Sequence, residues 1–547
     1  MFCFFLAEKV FRFFNTVSKP DFWRRNWYEI PLLFILAVIL SIVFFRRSWL
    51  GSADPAMVWH MAVGLYLVLE VIVKVCRTIV NTAASGQSPT LTLIITFLVL
   101  IICGAGLLML PKSTTGQTLS FVDALFTSTS ATCVTGLIVK NTGSDFSFMG
   151  QAIILSLIQL GGLGIIVFGV VFALLLGQAL SLRESVAVQD LLNAQTVSRI
   201  GKMIAFIFIG TILIETLGAI GLLGLWDSSA VHTTEPGQRW FYSIFHSISA
   251  FCNAGFSLFE DSFIRYDNRT VVYTVMCPLI ILGGLGFSVL YDLTNISMDR
   301  IKRLLRKHLG RNQSFMMGPP RKMRLQSKIV ISVSAILIVA GALAILLFDN
   351  FTQPRSAGGS QTGLMDALFQ SITARTAGFN TIDISKTSPA ARFVMIVLMF
   401  IGGSPGSTAG GIKTVTLAVI VMTMIAALRK RQEVEMFKRS IRIVVVGRAI
   451  TITLLFVIVL FTAALALSVT ERYNGFDMSQ IMFEAASALG TVGLTTGITS
   501  SLTTAGKLII IAVMLIGRLG PLTLLAALTF NLKPAKFNYL EEAIIVG

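Results

Sequence analysis

Long apolar stretches alternate with short polar connections along almost the whole chain. A membrane helix needs about 20 apolar residues. Ten segments reach that length: 29–46, 57–75, 90–110, 151–179, 203–226, 271–291, 328–348, 391–428, 442–469 and 507–530. Four further apolar stretches, 121–131, 240–250, 364–374 and 480–488, are too brief to span a bilayer. Each carries the same element, F-x-[SA]-x-[ST]-A: Phe126 to Ala131, Phe245 to Ala250, Phe369 to Ala374 and Phe483 to Ala488. Four or five residues past each alanine stands a glycine, Gly136, Gly255, Gly378 or Gly493, followed by Leu137, Phe256, Phe379 or Leu494. One match would be chance. Four in register mark internal repetition.

The unit that repeats is helix, short helix, glycine turn, helix. The short segments read as re-entrant half-helices, because irregular backbone at membrane depth is tolerated only inside protein or beside a watery cavity. Four such turns around one axis make a ring of carbonyls, which is how a filter replaces the hydration shell of a cation. Glycine suits the turn because it takes positive φ and brings no side chain into a narrow pore. The plain alternative, glycines serving only close helix packing, does not account for four copies behind the same element. The predicted ring comprises Thr135, Gly136, Ala254, Gly255, Ala377, Gly378, Val492 and Gly493, with Val134, Asn253, Thr376 and Thr491 adjacent.

The second helix of each unit repeats too, as Leu160–Gly164, Leu282–Gly286, Ile401–Ser404 and Ile516–Gly520. The third copy is enlarged into GGSPGSTAGGIKT, Gly402 to Thr414. Glycine costs about 1 kcal/mol and proline about 3 in a helix interior. The third inner helix is therefore expected to break, with Gly402, Gly403, Ser404, Gly406, Ser407, Thr408, Gly410, Gly411 and Lys413 forming a loop beneath the ring. The stretch also resembles a phosphate loop, G-x-x-x-x-G-K-[ST], but Ile412 stands where the lysine belongs. Arg518 replaces the second glycine of the fourth inner helix. Symmetry puts it at the loop's depth, so it is expected to bond loop carbonyls or hydroxyls and hold the loop shut; the competing reading is a snorkelling arginine. Lys413 has two open readings, a pair with Asp292 or a side chain in water. Glu70 and Glu215 are each either a structural hydrogen-bond partner or a ligand for a coupling ion.

The fold expected is an all-α integral membrane protein of four pseudo-symmetric helix–pore-loop–helix repeats around one pore, plus an N-terminal transmembrane hairpin. Its divisions are 1–28 (cytoplasmic or interfacial), 29–89 (hairpin), 90–190, 191–310, 311–440 with the gate loop 402–414, and 441–547 with the C-terminal tail.

Composition agrees with a bilayer. The 547 residues are 54% hydrophobic and only 13% charged, against about a quarter charged in soluble proteins. The net charge of +17 is not a nucleic-acid footprint, because the basic residues cluster between apolar segments, above all in 300–328 and 429–442. By the positive-inside rule those connections and both termini face the cytoplasm. The basic loops also suit an acidic cytoplasmic partner. The opening MFCFFLAEKVFRFF has its positive charges after a very short apolar run, so it reads as an interfacial helix instead of a signal peptide. Six cysteines without a CxxC pair and four scattered histidines offer no disulfide framework and no zinc site.

From CVTGL, FCNAGF, ARTAGF, GTVGL, QLGGLG, GGSPGSTAGGIKT and NYLEEAIIVG, the chain from about residue 90 onward resembles the Trk/Ktr/HKT superfamily of potassium transporters, the Ktr branch in particular. The spans within 29–75 look more like the extra hairpin of the Trk branch. The resemblance implies K+ uptake across the bacterial inner membrane, with the four glycines lining the filter. It implies an intramembrane gate at 402–414 with Arg518, a homodimer, and a cytoplasmic nucleotide-binding regulatory ring. A serine at the first filter position accompanies sodium selectivity in some plant relatives; here that residue is Gly136. A sodium-selective or Na+-assisted member of the same scaffold is the alternative. A nucleotide-hydrolysing pump is a remote one, because the longest cytoplasmic segment, 292–327, is too short for a catalytic domain.

Overall fold

Continuous apolar sequence gives the outer helices, and small residues decide where the shorter helices sit against them. The computed structural model describes residues 89–116, 118–164, 200–227, 236–266, 270–308, 320–352, 362–431 and 433–521. The predicted segment 1–28, the spans 29–46 and 57–75 with Glu70, the second half of span 151–179 and the tail 522–547 lie outside the described residues.

Four times the described chain runs through long helix, shorter helix, glycine turn and helix. The first unit is α1 (Pro89–Leu108), α2 (Phe121–Thr132) and α3 (Phe148–Leu163). The second is α4 (Ile200–Leu222), α5 (Pro236–Phe251), α6 (Cys277–Leu285) and α7 (Phe287–His308). The third is α8 (Leu325–Thr352), α9 (Leu364–Thr373), α10 (Pro389–Phe400) and α11 (Thr414–Leu428). The fourth is α12 (Ile443–Thr470), α13 (Met478–Gly490) and α14 (Thr504–Leu519).

Met203–Trp226, Leu325–Phe351 and Ile443–Thr470 are each long and apolar enough to cross a membrane. Helix α12 has 28 residues, about 42 Å at ~1.5 Å per residue, against a hydrocarbon core of about 30 Å. It exposes a stripe of Ile450, Leu454, Ile458, Phe461, Leu465 and Val469, and α4 exposes Ile209, Leu213, Leu217 and Ile220. Apolar stripes of that extent are what lipid covers.

The third position of the motif explains how the short helices attach. Ser128, Ser247 and Ser371 donate to the carbonyls of Ile101, Glu215 and Ile338 on their outer helices, at 2.7, 2.7 and 2.8 Å. Facing them are Gly104, Gly218 and Gly341; a Cβ on Gly341 would lie 2.5 Å from Ser371 Oγ and 2.8 Å from Leu398 Cδ1. The fourth unit has Ala485 instead, wholly buried in the apolar cluster that also holds Phe456, Leu460 and Ala463 of α12. Short helices start on side-chain caps where these are available: Ser120 accepts from Asp123 N, and Asp477 forms a capping box with Gln480.

Three features differ from the sequence reading. The predicted span 271–291 is not continuous: it breaks at Gly286, φ 90°, and its two halves, Val272–Leu285 and Phe287–Leu305, meet at 105°. Helices α3 and α14 end the same way, at Gly164 and Gly520, φ 83° and 84°. The last glycine of the LGGLG pattern takes the left-handed backbone that stops a helix, so helix breaking is not confined to the third unit. Secondly, 300–328 is not all connection, because α7 carries Arg300 to Lys307 on helix before α8 begins at Leu325. Thirdly, 429–442 holds a two-stranded hairpin, Val434–Met436 paired with Arg439–Ile441. Its turn is Phe437-Lys438, both at positive φ, as tight hairpin turns require.

The serine–glycine seam sets a stability test. Gly341→Val should cost about 1–3 kcal/mol of overpacking, read as a lower midpoint for heat-induced loss of the monodisperse peak in detergent. Gly106→Val, where a Cβ meets nothing within 4 Å, should leave the midpoint unchanged.

Candidate functional site

The short helices end on four turns with one backbone conformation. The residue two before each glycine is left-handed, Val134 at 58°, Asn253 at 58°, Thr376 at 77° and Thr491 at 50°. So is the glycine, Gly136 at 92°, Gly255 at 69°, Gly378 at 83° and Gly493 at 94°. A non-glycine residue at positive φ is uncommon, and four at one register mark a constrained site. The amides of Thr135, Ala254, Ala377 and Val492 are spent on the short helices, donating to the carbonyls of Ser130, Ser249, Thr373 and Ser487 at 2.7–2.8 Å. Ser130 and Ser487 also take the amides of Gly136 and Gly493 on Oγ, both at 3.1 Å. In the first and fourth units that is the work of the motif's Ser/Thr position; in the second, Ser249 Oγ donates to Phe256 O at 2.8 Å.

The carbonyls of the turns are free. Among the described residues no hydrogen bond ends on the carbonyl of Thr135, Gly136, Ala254, Gly255, Ala377, Gly378, Val492 or Gly493. The buried hydroxyls of Thr135, Thr376 and Thr491 have no partner among the described residues either. Buried polar atoms are almost always paired, so this concentration of unpaired oxygens is the chemistry of the site: it suits a cation.

The four turns close on one another. A Cβ on Gly136 would strike the carbonyl of Ala254; on Gly255 it would lie 2.8 Å from Ala377 O; on Gly378 it would strike Val492 O; on Gly493 it would strike Thr135 O. Each glycine therefore touches the next unit, in cyclic order, and any side chain would collide with that unit's backbone. Asn253 completes the second turn, with its amide oriented so that nitrogen donates to Ile280 O and Ala250 O at 3.2 and 3.0 Å.

Gly402 to Lys413 is a loop between α10 and α11, with Gly406 and Gly411 left-handed at 69° and 66°. It packs directly against the fourth turn, since a Cβ on Gly410 would lie 2.9 Å from Gly490 O and 3.1 Å from Thr491 Cβ. The break at Gly286 supplies its anchors. Ser404 N and Thr408 N donate to Gly284 O (3.0 Å) and Gly283 O (3.4 Å), and Phe287 N donates to Gly406 O at 2.9 Å. Thr408 Oγ1 adds a bond to Gly283 O at 3.1 Å, Ser407 closes on Ser404 O at 2.7 Å, and Ser404 Oγ meets Thr414 Oγ1 at 3.1 Å. Gly402 and Gly403 stand where any side chain would strike the loop's own backbone or Ala409.

Arg518 spans two units: one guanidinium nitrogen donates to Thr408 O in the loop and another to Gly161 O in α3. Lys413 takes neither of its expected places. Its Nζ donates to Ala409 O at 2.7 Å and Gly410 O at 3.3 Å, inside its own loop. Asp292 is already engaged by Ser327 Oγ at 2.8 Å and Arg324 N at 3.1 Å, and carbonyls left by a broken helix attract a nearby ammonium. Glu215 is buried and receives Gln159 Nε2 at 3.1 Å, with Cys252 Sγ 3.9 Å away.

The sequence reading missed several residues here. Arg375, one position into the third turn region, is 8% exposed and donates to Ser334 O and Oγ at 3.3 and 3.2 Å. His246 and Glu484 lie wholly buried in α5 and α13. The signal was an ionisable residue inside a short apolar segment for His246 and Glu484, and directly after one for Arg375.

Comparison with known proteins gives a consistent result. Residues 67–539 match the family model for TrkH, cation transport protein. The chain is 38% identical over 444 residues to the Ktr system potassium uptake protein B of Bacillus subtilis, across 80% of this chain and 92% of that protein. It is 37% identical over 469 residues to the potassium/sodium uptake protein NtpJ of Enterococcus hirae, across 84% and 97%. Its fold resembles the crystal structure of the potassium transporter TrkH from Vibrio parahaemolyticus, with TM-score 0.61 and 20% identity over 81% of this chain and 86% of that one.

The loop's bonds predict its protection. Thr408→Val should speed amide hydrogen exchange across 402–414 roughly fivefold, the effect of about 1 kcal/mol for one lost bond, and Arg518→Gln by more than about tenfold, because a charge-assisted bond is worth about 1.5–3 kcal/mol. Exchange in α12 should not change.

Proposed function

The chain belongs to the TrkH family of cation transport proteins, and on that premise we propose that it takes up potassium through the ring of four glycine turns. The family is one of ion transporters, not enzymes, so the phosphate-loop likeness of Gly406–Thr414 carries no nucleotide chemistry. One observation supports the reading above the rest: the turn carbonyls from Thr135 to Gly493 accept no hydrogen bond among the described residues. A cation stripped of water needs such a set of oxygens, already held in position. The names of the relatives, potassium uptake in one and potassium/sodium uptake in the other, point to K+ as cargo. Glycine at all four positions, Gly136 included, favours potassium; Na+ assistance is the second reading, carried by the second relative's name.

In this proposal the ring is the selectivity filter and the loop 402–414 is its gate. The loop lies against Gly490 and Thr491, where it obstructs a path leading away from the ring. Arg518 is the latch, because its two bonds tie the loop to α3 through Thr408 and Gly161. Lys413 contributes a fixed positive charge on the loop carbonyls, which deters a cation until the loop moves. The protein works in the bacterial inner membrane with both termini cytoplasmic. It pairs with a second copy of itself, and a cytoplasmic nucleotide-binding regulatory ring docks on the basic segments 300–328 and 429–442.

Purified protein in liposomes at a set membrane potential tests both parts. Gly378→Ser should lower the potassium-to-sodium uptake ratio about tenfold, the effect of roughly 1.4 kcal/mol in relative binding, while the protein remains folded. A retained ratio would remove Gly378 from the filter. Arg518→Ala should raise basal potassium uptake roughly tenfold, because charge-assisted bonds are worth about 1.5–3 kcal/mol. Unchanged uptake together with unchanged regulation would sink the latch.

A further inference from the structure

The residue after the motif phenylalanine is polar and buried in every unit: Thr127, His246, Gln370 and Glu484. Nothing in helix formation asks for this, since an apolar residue would pack there without needing a partner. In the second and fourth units the partners lie in the same place. His246 Nε2 meets Ser257 Oγ at 3.2 Å and accepts from Leu258 N at 3.3 Å; these are the second and third residues after Gly255. Glu484 accepts from Thr495 Oγ1 at 2.9 Å on one oxygen and from Thr499 Oγ1 on the other. Thr495 is the second residue after Gly493. Each side chain thus joins the short helix that leads into a turn to the limb that leads out of it.

Both braces are themselves held. His246 Nδ1 lies 2.8 Å from Tyr242 O, so that nitrogen carries the proton and Nε2 is left to accept. The ring stacks on Phe259 at 5.2 Å and 11°. Thr495 Oγ1 also accepts from Gly497 N at 3.0 Å and lies 2.9 Å from Thr499 Oγ1. No lysine or arginine among the described residues pairs with Glu484, so its two threonines are the reason the carboxyl can be buried there. The other units differ: Thr127 is spent on Asp123 O in its own helix at 2.9 Å, and the Gln370 amide has no hydrogen-bond partner among the described residues. The braced turns are the second and fourth in the cyclic order, facing one another across the ring.

We propose that Glu484 and His246 are positioning residues for ion selectivity, bracing the outgoing limbs of the fourth and second turns from behind. This rests on the reading of the ring as the filter. The carbonyls of Val492, Gly493, Ala254 and Gly255 point where the backbone on both sides of each glycine holds them. With the outgoing limb loose, the ring adapts to a smaller cation and discrimination falls. The brace works by hydrogen bonding and not by charge.

The test uses full-length protein in liposomes and reads the potassium-to-sodium uptake ratio beside the elution profile and thermal midpoint. Glu484→Ala and the double variant Thr495→Val/Thr499→Val should each lower the ratio about tenfold, roughly 1.4 kcal/mol. Glu484→Gln, which keeps an acceptor for a threonine, should stay within about threefold of the parent. A folded Glu484→Ala protein with the parental ratio overturns the inference. If that variant does not fold, the double threonine variant decides in the same way. Glu484→Gln falling as far as Glu484→Ala would replace the brace by a charge effect and also overturn it. Gly493→Ser separates the two levels: if it leaves the ratio unchanged, the filter reading itself fails. If Gly493→Ser lowers the ratio while Glu484→Ala does not, only the brace fails.

Discussion

Every backbone N–H and C=O at membrane depth has to find its partner within the protein, because lipid offers none. The structure meets that demand by continuous helices at its edge and by matched breaks at its centre. When the second unit's inner helix stops at Gly286, the carbonyls of Gly283 and Gly284 and the amide of Phe287 lose their helical partners. The loop 402–414 takes all three through Thr408, Ser404 and Gly406. Two irregular segments that would each be costly alone are thereby mutually satisfied. The turn carbonyls are the exception, and their exemption from pairing is what makes a cation their natural complement.

The same constraint accounts for the small residues. Close approach of backbones is needed wherever a carbonyl must be reached, and side chains stand in the way. Gly161, Gly283 and Gly517 let the inner helices press on the carbonyls of Thr132, Phe251 and Leu489 at the ends of the short helices. Gly104, Gly218 and Gly341 do so from the outer helices, onto the serines of the motif. The glycines of the LGGLG pattern thus have distinct tasks, one for packing and the last for breaking the helix.

Fourfold likeness is broken at the loop and at the residue that bonds it. Only the third unit carries the enlarged loop, and only the fourth has arginine in the second-glycine position. Arg518 and Lys413 bring two positive charges to one small region, each against backbone carbonyls. Charges in a membrane interior are expensive unless solvated by such dipoles, so both side chains depend on the loop keeping its present shape. The loop in turn is held by them.

Much of the fold is legible in the chain because its signals are local. Apolar length marks the outer helices, and the F-x-[SA]-x-[ST]-A element marks the short ones at Phe126, Phe245, Phe369 and Phe483. The fourfold register also brought Gly136, Gly255, Gly378 and Gly493 forward as one set, since repetition is visible without coordinates. What the chain could not say is which unit each group meets. Lys413 turned out to bond its own loop and not Asp292, because the competition for Asp292 by Ser327 and Arg324 is a tertiary matter. The break at Gly286 was hidden because a single glycine is tolerated in most helices at a cost of about 1 kcal/mol; only a neighbour ready to take the freed groups makes breaking worthwhile. Glu484 and His246 have no partner legible in the chain, because the outgoing limbs that bond them reach them only by folding back. Local pattern determined the elements and their fourfold order, while pairing across units, which depends on distances between parts remote in the chain, was decided by the tertiary structure alone.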